Sequence, residues 1–390
     1  MYMDANATTP LLPEVVEAMG PYWLEVYGNA SSIHQAGQSA RAAVDRARES
    51  LARLIGCQAS ELIFTSGGTE SDNMALFGVL QPLLDVLQPG GEAPHLITSS
   101  IEHNAILNTA DALRKRGVEV TLIAPTSAGL IEPEALKAAM RPNTRLVSIM
   151  LGNNETGVVQ PVAELAAIAH AGGALFHTDA IQAVGKIPIN LAELKDVDLL
   201  SLSGHKMYAP KGTGALFLRK KTQLSPMFFG GMHERGRRPG TENVPGIVGL
   251  GRAAELAAEW LSTGGPERLC ALRDRLEQGV LAGAGAGAGV NGAGAPRAAN
   301  TTNLYFEGVE AEALVIALDL KGVAISGGSA CQSGATKPSH VLLAMGMPEA
   351  RAWGSVRISL SRLNTGEEID AAIGLIVDAV ARLRMVAAVA

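Results

Sequence analysis

Cysteine is scarce in this sequence: Cys57, Cys270 and Cys331 are the only three among 390 residues, and they form no CxxC pair. A disulfide framework and a cysteine-based zinc site are thereby disfavoured, and a reducing compartment fits. Aromatic residues are also few, at 4%, and the net charge is −6, so the chain lacks the stacking platforms and basic surface of a nucleic-acid binder. No uncharged apolar run reaches the roughly 18 residues of a membrane span. The opening MYMDANATTP has neither the basic region nor the apolar core of a signal peptide. A cytoplasmic protein is expected, with no membrane contact and no direct nucleic-acid binding.

What is present is enough apolar material, 47%, and enough length for a large unit and a smaller one. Between Glu61 and Leu218, short apolar runs (ELIFTS, HLITSS, VEVTLIA, RLVSIML, ALFHT, VDLLSLS, GALFLR) alternate with helical patterns. That alternation predicts an α/β fold whose mostly parallel sheet is covered by crossover helices. Before it, HQAGQSARAAVDRARESLARLIG reads as one helix with its Arg and Glu residues in water, ending at Gly56. The glycine-dense stretch 281–296 is expected to be a flexible surface connection, because each glycine costs a helix roughly 1 kcal/mol relative to alanine. Beyond Asn303, strand-like NLYFEG, GVAISG and SVRISLS and a helix after Thr365 predict a small α+β lobe. The expected division is a large domain over 15–255 and a small one built from 1–14 and 256–390.

Chemistry concentrates where strands end. In VDLLSLSGHKMYAPKGTG, Lys206 follows an apolar strand, the place where parallel sheets bind ligands and where a lysine can form a Schiff base with an aldehyde cofactor. Alone it reads more readily as a solvated loop lysine, and the neighbouring acidic residue reverses that reading. Asp179, at the end of the preceding strand, suits the pyridinium nitrogen of pyridoxal phosphate (PLP), although a helix N-cap is its ordinary alternative. Gly67, Gly68 and Thr69 between a strand and a helix make a cradle for phosphate. His103, at another strand-to-helix junction, could stack on a planar cofactor and move protons, or merely cap a helix.

In order along the chain stand DANATTP, GNASSIH, FTSGGTESDN, EHNAIL, NNETGVVQP, HTDAIQAVGK, SGHKMYAPKG, GGMHERGRRPGTEN, SGGSACQSG and VRISLSR. Through these motifs, nearly end to end, the sequence resembles the NifS/IscS-type cysteine desulfurases, PLP enzymes with the aspartate-aminotransferase-like fold. The resemblance implies that Lys206 holds PLP, Asp179 pairs with its ring nitrogen, His103 stacks on the ring and Gln182 bonds the ring hydroxyl. It further implies that Gly68, Thr69, Ser203 and His205 hold the phosphate, joined by Thr241 from the second subunit of a homodimer. Asn154 and Arg357 are implied to bind the carboxylate of the substrate, L-cysteine. Cys331 is implied to take up its sulfur as a persulfide, with alanine released, while Cys57 and Cys270 read as small buried hydrophobes.

The sequence departs from the family pattern at Ala30, where proline is common, and at Gly328, where a serine is usual. It ends in RLRMVAAVA, without the longer tail that some relatives use to dock a scaffold protein. The resemblance implies a sulfur-acceptor protein, an iron–sulfur scaffold or a thiolation factor, without choosing between them.

Overall fold

The computed structural model describes residues 1–327 and 337–387. Seven of its strands are the seven apolar runs: β1 Leu62–Thr65, β2 His95–Ser99, β3 Glu119–Ile123, β4 Thr144–Ser148, β5 Leu175–Asp179, β6 Leu199–Ser203 and β7 Gly214–Leu218. They form one sheet in the order β1-β7-β6-β5-β4-β2-β3. Pairing is parallel from β6 through β3, while β7 runs antiparallel to both β6 and β1. β1 therefore points the same way as β6, and the carboxyl ends of β1, β2, β4, β5 and β6 share one edge.

Both faces of this sheet are buried except at the edge strand β3, which is why its other strands read as mostly apolar runs rather than as a simple alternation. Along β7, Ala215 and Phe217 enter one core while Leu216 and Leu218 enter the other, as the period of two requires. The helix Gln35–Ile55 ends at Gly56 in the left-handed conformation. It lies so close against the helix Val244–Ser262 that a Cβ on Gly251 would come within 2.5 Å of the Ala47 Cα. Its arginines do not all face water, contrary to the sequence expectation. Arg48, largely buried, pairs with Glu234 at 2.6 Å and lies over the Phe64 ring, and Arg41 pairs with Glu242.

A second, antiparallel sheet follows the order β10-β11-β9-β8, with β8 Ala288–Val290, β9 Thr301–Phe306, β10 Ser326–Gly327 and β11 Ser355–Ser359. The N-terminal segment runs beside it through bridges Tyr2–Ala324 and Asp4–Ser359. Met3 accordingly joins Leu304, Phe306, Val356, Ile358 and Ile376 in a core of their own. Val341, Leu342, Met345 and Ala352 pack instead into the core of the large sheet.

The glycine-dense stretch is not a flexible connection. The helix Gly265–Ala284 runs into it and β8 follows at once. Gly283, and Gly279 just before the stretch begins, face Val377 and Ile373 of the helix Gly366–Ala387, where a Cβ would approach to 2.5 and 2.6 Å, so glycine here permits two helices to touch. Buried Asn291 then bonds Asn303 and Ser355. Among the described residues no helix is long and apolar enough to cross a membrane.

Candidate active site

The shared strand edge and the small sheet enclose a cleft of about 180 Å³. Gly68, Thr69, His103, Asn154, Asp179, Gln182, Ser203, His205, Lys206 and Arg357 all line it, so ten of the residues singled out in the sequence meet around one space. Asn6, Met150, Gly152 and Ile181 complete the lining. Thr241 is exposed and lies outside that lining, and Cys331 lies outside the described residues.

Lys206 ends a short turn, Gly204–Lys206, directly after β6. Its Nζ donates to the carbonyls of Asn6 and, at 2.6 Å, Ala7, so the DANATTP segment is the partner of the lysine loop. Thr9 reinforces the joint, since its hydroxyl donates to the His205 carbonyl and accepts from the Tyr208 N–H at 2.8 Å. Tyr208 sits at φ 66°, a strained position for a non-glycine residue, and Arg362 over its ring and at its hydroxyl helps hold it there.

Asn6 was not singled out as a site residue by sequence reasoning. Its carbonyl accepts from Lys206 and from Gln182, its Oδ1 accepts from Lys186 and Asn300, and its Nδ2 donates to the Asn154 carbonyl and the Thr301 hydroxyl. The signal was present in the DANATTP motif, but a short polar N-terminal run carries no periodicity to show that it is buried. Lys186 is buried too, and it donates to two neutral acceptors, Gln182 Oε1 at 2.6 Å and Asn6 Oδ1. Burial and the neighbouring charges of Lys206 and Arg357 hold its ammonium well below the usual lysine range.

Three buried carboxyls gather here: Asp179 in the cleft lining, and Glu102 and Asp72 near enough to feel its charge. Burial pushes Asp179 up to about 6, against the Ile181 N–H that donates to its Oδ1 at 2.9 Å and the nearby charge of Lys206. Burial, opposed by the Ser99 hydroxyl and Met150 N–H, pushes Glu102 up to about 8. Asp72 is raised well above the usual carboxylate range by burial and by the charge of Asp179. Between the strands, His177 bonds Ser148 at 2.8 Å and Ser201 at 3.0 Å, and burial holds it down to about 3. Burial shifts each of these groups toward its neutral form, far enough for Glu102 and His177 to be neutral near pH 7, while Asp179, at about 6, is ionised there.

His103 is the N-cap of the helix Asn104–Arg114: its Nδ1 accepts from the Ala105 N–H at 3.1 Å. That bond leaves Nε2 as the ring nitrogen bearing the proton in the neutral imidazole. Burial and the charges of Lys206 and His340 lower its pKa. The capping role and the place in the cleft are thus held by one side chain. His205, held down to about 4 by burial and by neighbouring lysines, bonds Thr8.

Arg357 projects from β11, is 2% exposed, and donates to Asp4 at 2.7 Å and to the Asn154 carbonyl at 3.1 Å. Its Nε and the Asn154 Oδ1 are buried and have no partner among the described residues. The remaining cysteines are only partly buried. Burial, with Glu61 adding to it, pushes the Cys57 thiol up to about 12, while Cys270 makes polar contacts with Arg273 and Asp274 rather than serving as a simple hydrophobe.

The donor set fits pyridoxal phosphate. The helix Gly68–Asp85 starts at the cleft with no side chain capping it, leaving its N-terminal N–H groups for a phosphate. An amine, a buried carboxyl and an imidazole stand at the same cleft, beside buried polar atoms that await a partner.

Comparison with known proteins gives the same answer. The family described as aminotransferase class-V, whose members depend on pyridoxal phosphate, matches residues 1–372. A cysteine desulfurase of Bradyrhizobium diazoefficiens is 48% identical over 387 residues, covering 98% of this chain and 95% of that protein. A solved NifS-like protein superposes with a TM-score of 0.89 at 36% identity, covering 98% of this chain and 99% of the other. The solved protein SspA in complex with cysteine superposes at 0.81 and 36% identity, covering 93% and 99%. The chain belongs to the class-V aminotransferase family, among its cysteine desulfurases.

Proposed function

We propose that this chain removes sulfur from L-cysteine, releasing L-alanine and leaving the sulfur as a persulfide on Cys331. The observation that carries the reading is the single cleft in which Lys206, Asp179, His103, Asn154 and Arg357 meet at the carboxyl edge of the sheet. Bound there, pyridoxal phosphate supplies an electron sink for the charge left on the substrate carbon.

The residues divide the remaining work. Lys206 is the attachment point, and Asp179, buried beneath the cleft, is the partner of the ring nitrogen. Gln182, whose amide bonds Asn6 and Lys186, is the partner of the ring hydroxyl. Gly68, Thr69, Ser203 and His205 surround the phosphate, and Thr241 of a second copy completes its site. Arg357 and Asn154 take the substrate carboxylate, for which a planar guanidinium suits better than an ammonium. His103 exchanges protons through Nε2, its other nitrogen being engaged in capping.

The sulfur balance requires no outside oxidant. The thiolate of Cys331 forms an S–S bond as the substrate C–S bond breaks, and a proton then replaces sulfur on carbon to give alanine. A reductant or an acceptor protein, such as an iron–sulfur scaffold or a thiolation factor, removes the persulfide sulfur. We place the chain in the cytoplasm as a homodimer, divided into a large domain over 15–255 and a small one over 1–14 and 256–390.

Purified protein incubated with L-cysteine and a reductant should yield alanine and sulfide in equal amounts. Without reductant, mass spectrometry should find the added sulfur on the peptide bearing Cys331, and Cys331→Ala should keep its bound PLP yet lose at least about three orders of magnitude in alanine formation. Sulfur mapped to Cys57 or Cys270, with Cys331→Ala still active, would refute the assignment.

A further inference from the structure

Arg357 does not face the cleft as an unpaired cation. Its Nη2 already donates at 2.7 Å to Asp4 Oδ1, in an ion pair whose side chains are 3% and 13% exposed. Its Nη1 donates to the Asn154 carbonyl. Nε, by contrast, is buried without a partner among the described residues. Asp4 itself does not line the cleft, and it is fixed where it stands. Its Oδ2 accepts from the Ser326 hydroxyl at 2.7 Å, and its strand segment is bridged to Ser359.

The register of the small sheet sets this arrangement. Ser326 lies opposite Arg357 across β10 and β11, and the bridge between Asp4 and Ser359 lays the N-terminal segment along the same strand. The guanidinium is therefore met by a resident carboxylate before any ligand arrives. A carboxylate entering from the cleft finds Nε open but must share Nη2 with Asp4 to make the two-point contact that Arg favours. It also approaches a second negative charge in a place with little water to screen it.

We propose that Asp4 is the positioning residue that sets how tightly the site holds a substrate carboxylate, acting as a built-in competitor for Arg357. The inference rests on Arg357 being the carboxylate site. Weak holding of the ground state serves turnover: binding energy spent equally on substrate and transition state lowers KM without raising kcat. A merely structural Asp4 predicts the opposite sign, since its loss would leave Arg357 less well oriented and weaken binding.

The test uses the PLP-loaded enzyme and reads binding from the visible spectrum of the cofactor, titrated with L-alanine and with L-alaninamide, which lacks the carboxylate. Asp4→Asn keeps an acceptor for Nη2 and removes the charge. It should bind L-alanine about tenfold more tightly than wild type, as a screened charge pair at this range implies, with L-alaninamide unchanged. KM for L-cysteine should fall without a rise in kcat. Asp4→Glu, which restores the charge, should move affinity back toward wild type, and Asp4→Ser serves as the neutral variant should Asp4→Asn fail to fold. Equal or weaker L-alanine binding by the folded neutral variant would overturn the proposal. If wild type fails to distinguish L-alanine from L-alaninamide, Arg357 is not the carboxylate site and both readings fall; if wild type distinguishes them and only the tightening is missing, the role of Asp4 alone fails.

Discussion

Glu102 shows how far burial alone can move a side chain in this molecule. Both of its donors, Ser99 and the Met150 N–H, converge on Oε1, while Oε2 is buried with no partner among the described residues. A lone ionised oxygen in that position is costly, and the carboxyl is accordingly pushed up to about 8 by burial. The folded pKa lies above the ordinary value of 4.5, so this group's contribution to stability is complete below about pH 4.5 and is lost as pH rises through about 8. In that window the folded protein holds a proton that the unfolded chain has released, and stability falls by about 1.4 kcal/mol per pH unit from this group. Glu102→Gln should therefore gain on wild type steadily between pH 5 and 8 and no further above it. Urea denaturation midpoints measured at each pH give the comparison, and a constant difference across the range would show that Glu102 is ionised in the fold. Lys206, Asp179 and His103 are legible from sequence because each follows an apolar run that marks a strand end. Glu102 and Asp72 lie within the same motifs but give no sign of their neutrality, because that depends on strands and helices brought together from elsewhere in the chain.

Six strands of the large sheet are legible because burial on both faces makes each a short, mostly apolar run, while the edge strand β3, with Glu119 and Leu122 exposed, is legible from its β-branched residues. The stretch 281–296 misleads for a physical reason: glycine is expensive to a lone helix, but its lack of a side chain lets two helices approach. The same ambiguity separates two glycines whose difference sequence cannot reveal. Gly374, in the helix Gly366–Ala387, has nothing within 4 Å of where a Cβ would stand. Gly374→Ala should stabilise the protein by about 1 kcal/mol through helix propensity alone. Gly251 also sits in a helix, yet its Cβ would meet the Ala47 backbone at 2.5 Å. Gly251→Ala should cost about 1–3 kcal/mol despite the same gain in propensity, because two long helices must separate to admit one methyl group. Thermal unfolding of the PLP-loaded protein checks both, and stabilisation by Gly251→Ala would mean that the two helices yield more easily than their packing implies.

At the scale of the whole molecule, two segments expose large apolar side chains to a degree unusual for a solitary chain. Leu24, Tyr27 and Ile33 stand exposed in the stretch before the helix Gln35–Ile55, and Phe229 and Met232 stand exposed near the start of GGMHERGRRPGTEN, Phe229 and Ile33 at 90% and 91%. The two segments meet at a cavity lined by Ser31, Arg41 and Arg48 and by Met232, His233 and Arg237. Apolar side chains gathered round arginines are what the core and rim of a protein interface require. Thr241 lies near the end of the second of these segments, exposed and outside the lining of its own chain's cleft. A second copy seated on this face would cover the apolar groups and carry Thr241 toward a neighbouring phosphate site, so cofactor retention and association should depend on each other. Sedimentation should find a dimer at micromolar concentration. Phe229→Glu should shift it toward monomer and weaken PLP retention together, whereas Thr241→Val should loosen PLP while leaving the dimer intact. An active, PLP-replete monomer would refute the coupling, and a dimer that survives Phe229→Glu with its affinity unchanged would move the interface to another face.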